Sequence, residues 1–155
     1  MTPAIRAAEH ARIEFEVLAY EHDVRARPYG PEAAAALGLP PGAVFKTLIT
    51  KIQERGLVVA LVPVDRQLDL KALAASVGGK RAELADAAEA ERATGYVVGA
   101  ISPLGQRRAL PTVIDQSAGT LPRMFVSAGR RGVELALRPA DLIALCRATT
   151  APIAR

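Results

Sequence analysis

Two apolar runs decide the fold: VFKTLITKI at 44–52 and LVVALV at 57–62, separated by the turn residues 53–56. Both are rich in β-branched residues and lie four positions apart, which predicts a β-hairpin. Working outward, PEAAAALG at 31–38 has proline first and glycine last, the asymmetry of a short helix. IEFEVLAY at 13–20 sets Phe15, Val17 and Ala19 against Glu14, Glu16 and Leu18, which predicts a strand. Thr2-Pro3 caps a helix through AIRAAEHARI. Downstream of the hairpin, Asp69 caps a helix carrying Leu70, Leu73, Ala74 and Val77 at helical spacing, stopped by Gly78-Gly79. Asp86 caps an alanine-rich helix ending near Gly95. Residues 96–99, 112–114, 124–127 and 133–137 are short β-like runs, and Pro139 opens a last helix to Cys146. Strands run mostly consecutively and helices are grouped. One α+β domain over residues 1–155, with a mixed or mainly antiparallel sheet, is expected.

Composition narrows the class. The 155 residues are 50% hydrophobic and 4% aromatic, so the core is aliphatic and alanine-rich. The longest apolar run, 57–64, contains Pro63 and is far short of the roughly 20 residues that cross a bilayer. The start, MTPAIRAAEH, has no basic region followed by an apolar one, which predicts a cytoplasmic protein without a membrane segment. One cysteine and two histidines leave no disulfide and too few ligands for a zinc site. The formal charge is +4, distributed as −1 over residues 1–100 and +5 over 101–155. Arg107, Arg108, Arg130 and Arg131 fall in the basic third, where guanidinium forks suit phosphate or simply form a solvated face.

No G-x-S-x-G, P-loop or H-E-x-x-H motif is present. Lys46 is the one charge inside the apolar stretch 44–49. It reads either as an edge-strand lysine reaching solvent or as an ammonium on a pocket wall. The run GYVVGAISPLG at 95–105 flanks Ser102-Pro103 with glycines; it is either a tight turn or a place where backbone amides approach a ligand. Tyr20-Glu21-His22-Asp23 puts a histidine beside acids at a strand end, as a catalytic pair or as solvated turn residues. Cys146 lies in the apolar stripe of the last helix and reads as core.

MTPAIRAAE, YEHD, VFKTLIT, PVDRQLDLKALA, TGYVVGAISPLGQRRALPTVID and VSAGRRG together resemble the YbaK/EbsC family, and within it the Cys-tRNA(Pro) deacylase branch. The resemblance implies a twisted sheet closing toward a barrel with helices outside. It implies a trans-editing hydrolase that removes cysteine from tRNA(Pro) without a cofactor, since cysteine is nearly the size of proline and a synthetase pocket rejects a near-isostere poorly. Matched position by position, it puts catalytic roles on Lys46 and Gly99. It puts substrate contacts on Tyr20, Tyr29, Thr47, Ser102, Ser127 and Glu134. Relatives carry aspartate where Glu134 stands and glycine where Ala128 stands, a change that would narrow the pocket. The implied chemistry is attack by the substrate's own thiol. The implied partners are the acceptor end of tRNA(Pro), contacted by the four arginines, and prolyl-tRNA synthetase. Removal of alanine from the same tRNA, or nucleotide binding without catalysis, are the competing readings.

Overall fold

The hairpin forms as the sequence predicts. In the computed structural model, which describes residues 1–23, 25 and 29–155 (backbone alone at 29 and 30), β2 (Phe45–Ile52) pairs antiparallel with β3 (Gly56–Pro63). The turn between them is closed by two residues in the left-handed region, Glu54 at φ 67° and Gly56 at φ 91°. Nearly all of β3 is buried because it is the centre of a five-stranded sheet. On one side lie β2 and then β4 (Ala82–Leu84); on the other, β5 (Thr112–Asp115) and β8 (Thr149–Ala151) join in parallel. A second sheet has the order β1 (Phe15–Ala19), β7 (Val133–Leu137), β6 (Met124–Arg130), all antiparallel.

The expected closure toward a barrel does not occur. The two sheets touch through one parallel bridge, Val44 to Phe125, and their ladders diverge beyond it. The α+β class with a mixed sheet holds. Two strands were not legible in the sequence, β4 and β8, each three residues long. Residues 96–99, expected as β-like, form a turn instead, because the chain reverses at Gly99 (φ 92°). The alternation in β1 does not set burial either: Val17 is 43% exposed, since β1 is an outer strand.

Helices start where capping chemistry puts them. Thr2, Asp69 and Asp86 each accept a backbone N–H of the first turn of α1 (Pro3–Ala11), α3 (Leu70–Ser76) and α4 (Ala87–Thr94). The remaining two are α2 (Tyr29–Leu37) and α5 (Pro139–Cys146). Asp115, buried at the end of β5, accepts the N–H groups of Ile153 and Ala154 at 3.0 and 2.9 Å and so pins the C-terminal strand. Among the described residues no helix is long and apolar enough to cross a membrane.

Candidate active site

A cavity of about 290 Å³ opens where the two sheets diverge. One wall is Val44 through Ile49 without a gap. A single strand face supplies only every second residue, so the cavity lies against an open strand edge. The reason is in the ladder: β4 pairs with Thr50–Ile52 of β2, one further bond runs from Ala85 N–H to the Ile49 carbonyl, and Phe45–Leu48 are left without a neighbouring strand on that side. The opposite wall is the facing pair Ser127 and Glu134 of β6 and β7, with Tyr20 at the end of β1. Val98, Gly99 and Ile101 close one end, with Arg130 and Arg131 beside them.

The polar groups in this space are held in unusual states. Glu134 is 7% exposed and has no hydrogen-bond or ion-pair partner among the described residues; burial pushes its carboxyl up to about 8. Thr47 Oγ1 is buried and has no hydrogen-bond partner among the described residues. Lys46 is half-buried, which lowers its pKa against the opposing effect of Asp65. The Tyr20 phenol is raised by burial first and by the nearby Glu134 second. Buried polar groups in folded proteins are almost always paired, and leaving one unpaired costs about 1–3 kcal/mol. An unpartnered hydroxyl and carboxyl in one cavity are the signature of a ligand site. The set suits a small zwitterionic or aminoacyl group: a cation and backbone amides for oxygen, an acid for an ammonium.

The Gly99 segment is a type II turn. Ala100 N–H donates to Val97 carbonyl at 2.9 Å, and the positive φ falls at Gly99, the third position. The turn is held from outside at both polar groups of Val98. Val98 N–H donates to Glu91 Oε2 of α4 at 2.9 Å, and Arg131 Nη2 donates to Val98 carbonyl at 3.1 Å.

The structure brings Lys46, Thr47, Gly99, Tyr20, Ser127 and Glu134 to one cavity, with Arg130 and Arg131 at its side. Ser102 is not on its wall: it is fully buried, and its hydroxyl accepts Leu104 N–H at 3.3 Å. Arg107 and Arg108 are exposed on the loop after it, tied to α4 through backbone bonds. Ala128 is fully buried in the core and does not narrow the cavity. The Tyr29 side chain lies outside the described residues. His22 Nδ1 is 2.8 Å from Glu32 of α2, away from the cavity wall. Cys146 contacts the Pro103 carbonyl at 3.5 Å, and burial raises its thiol to about 11. Sequence reasoning missed Leu84 and Ala85, which line the cavity from a strand too short to show periodicity. It also missed the part played by Glu91. Among the described residues no three His, Cys, Asp or Glu side chains are grouped to hold a metal.

The model of the aminoacyl-tRNA editing domain matches residues 30–145, three-quarters of the chain and most of the cavity wall. The chain belongs to that family. This editing domain is 34% identical over 155 residues to EbsC of Enterococcus faecalis, named as a candidate Cys-tRNA(Pro)/Cys-tRNA(Cys) deacylase, covering 98% of this chain and 92% of that protein. It is 36% identical over 105 residues to ProXp-y of Escherichia coli, a multifunctional Ser/Thr-tRNA deacylase, covering 66% of this chain and 60% of that one. A solved structure described as a candidate trans-editing enzyme for prolyl-tRNA synthetase superposes with a TM-score of 0.87 at 26% identity, covering 100% and 99% of the two chains.

Proposed function

We propose that this protein is a trans-editing deacylase that hydrolyses Cys-tRNA(Pro) in the cytoplasm, acting beside prolyl-tRNA synthetase. The observation that carries the reading is the pair of unpartnered buried groups, Thr47 Oγ1 and the Glu134 carboxyl, in a cavity that also presents Lys46 and Gly99. The relatives' names supply the substrate class.

The 290 Å³ space admits a small aminoacyl group and the sugar to which it is esterified. Glu134 and Thr47 receive its α-amino group, and Tyr20 and Ser127 flank it. Lys46 meets the ribose or phosphate of the terminal adenosine, and Gly99 N–H meets the carbonyl oxygen. Arg130, with Arg107 and Arg108 further out, follows the acceptor-stem backbone. The nucleophile is the substrate's thiol. Its sulfur bonds to the ester carbonyl carbon, the ester C–O bond breaks, the tRNA 3′ oxygen takes the proton, and water then opens the cyclic thioester. Holding sulfur and carbonyl in register contributes several kcal/mol.

The test is release of free amino acid from tRNA(Pro) charged with cysteine, serine, alanine or S-methylcysteine, with and without the synthetase. Cysteine is cleared fastest, and S-methylcysteine is bound but not cleaved. Rapid cleavage of the S-methyl ester overturns the thiol mechanism. Comparable cleavage of serine favours a second reading, suggested by the Ser/Thr-tRNA deacylase relative, in which water is the nucleophile.

A further inference from the structure

We propose that Arg131 and Glu91 are positioning residues that lock the Val98–Gly99 peptide so that its N–H faces the reacting carbonyl. The proposal rests on the reading of Gly99 as the oxyanion donor, and it removes Arg131 from the set of tRNA-backbone contacts.

A type II turn differs from type I by a flip of its central peptide, and glycine at the third position adopts either form. In the trans peptide between Val98 and Gly99, the Val98 C=O and the Gly99 N–H point in opposite directions. A contact that fixes the carbonyl therefore fixes the direction of the N–H. Arg131, in the β6–β7 turn, makes that contact at 3.1 Å. Glu91 holds the preceding N–H of Val98 at 2.9 Å from the other side. The Gly99 N–H itself donates to no described residue, and Gly99 lines the cavity. Flipping the peptide would break the guanidinium–carbonyl bond and turn the donor away. Buried Tyr96 and Ala100 anchor the ends of the turn, but Val97 and Val98 are exposed by 54% and 44%, so side-chain packing does not set the orientation of the peptide between Val98 and Gly99. Two charge-assisted hydrogen bonds do that work.

The two roles open to Arg131 are separable. A phosphate contact governs KM and its salt dependence; a positioning contact governs kcat. Glu91 provides the control, because an acid has no use against an RNA backbone. In steady-state deacylation of Cys-tRNA(Pro), Arg131→Ala and Glu91→Ala are each expected to lower kcat about 10- to 100-fold, the cost of a misplaced donor. KM and its salt slope stay unchanged, and the double variant falls little further than either single one. Glu91→Gln, which keeps an acceptor, recovers most of the loss. The second arm needs no turnover: conformational exchange at the backbone amides, read by ¹H–¹⁵N relaxation dispersion on the free protein. Both alanine variants should introduce exchange broadening at Gly99 and Val98 as the peptide samples both orientations, and leave the β3 amides unmoved. Raised KM with a shallower salt slope for Arg131→Ala, or unchanged exchange at Gly99, overturns the proposal. If the wild-type protein cleaves no charged tRNA, the deacylase reading fails, and the exchange arm still decides whether the clamp exists.

Discussion

Replacing Glu134 by glutamine should stabilise the protein at neutral pH and leave it nearly unchanged near pH 5. Burial favours the uncharged acid, so the native carboxyl titrates at about 8 against 4.5 in the unfolded chain. Between those values the native state holds a proton that the unfolded state has released. Stability therefore falls as pH rises through the window. Each pH unit across it costs about 1.4 kcal/mol, so from pH 5 to pH 7 the wild-type protein loses about 2–3 kcal/mol that the glutamine variant keeps. For a chain of this size that is about 5–10 °C in Tm. Glutamine has nearly the shape of the protonated acid and leaves the cavity volume alone, so packing does not enter the comparison. The assay is thermal unfolding of both proteins at pH 5, 6, 7 and 8, read as the gap between their Tm values. The gap should widen steadily up to pH 8 and then level off. Parallel Tm curves across the series would mean that Glu134 is ionised in the native state, and the reading of its burial would be wrong.

Three further perturbations test other parts of the structure. Lys46→Ala should lower kcat/KM at least tenfold while Tm stays within a few degrees, because Lys46 is only half-buried and takes part in no hydrogen bond or ion pair among the described residues; a folded variant with wild-type turnover removes this strand from the site. Cys146→Ala should keep full activity and cost about 1 kcal/mol, since its thiol stays protonated at neutral pH and its one polar contact is a long one to Pro103; loss of turnover in the folded variant would point to a protein thiol as nucleophile. Gly105→Ala should cost about 2 kcal/mol or more, as its φ is +70° and a Cβ there would stand 2.5 Å from the Pro3 carbonyl carbon, whereas Gly119→Ala meets nothing within 4 Å and serves as the near-neutral control in the same melting series.

What the sequence disclosed was what local chemistry determines. Thr2, Asp69 and Asp86 cap their helices because the capping bond spans three residues, and the hairpin register follows from a short turn, residues 53–55. Lys46 was conspicuous as the single charge in the apolar stretch 44–49, and it does reach the cavity. The strands β4 and β8 were hidden because three residues carry no period; they are strands only because β2 and β5 offer them an edge. Barrel closure failed as an expectation because it depends on whether β2 and β6 stay paired beyond Val44 and Phe125, a tertiary question. Arg131 read as a phosphate-seeking charge, since composition shows a guanidinium but not the Val98 carbonyl it meets. Ser102 was misplaced for the same reason: its sequence neighbours line the cavity, while its own hydroxyl turns inward to Leu104 N–H.

The cavity exists because two ladders are imperfect. β4 stops at Thr50 and leaves the first half of β2 with an open edge. On the facing sheet, β6 and β7 lose register between Ser127 and Arg130, which bends the strand at Ala128-Gly129 and carries Arg130 and Arg131 toward the Gly99 turn. That bend depends on Gly129: at φ +99° it leaves room for the Tyr96 ring, and a Cβ would stand 2.6 Å from Cε1 of that ring. Tyr96 is in turn anchored by its hydroxyl to the Leu104 carbonyl at 2.6 Å, one residue before Gly105, which backs onto α1. Both sides of the Gly99 turn are thus tied to the same buried aromatic. A complete ladder would have satisfied every backbone group and left no wall for a substrate. The departures from regular pairing supply the open edge and the bulge, and under the proposed thiol mechanism the substrate would bring its own nucleophile to them.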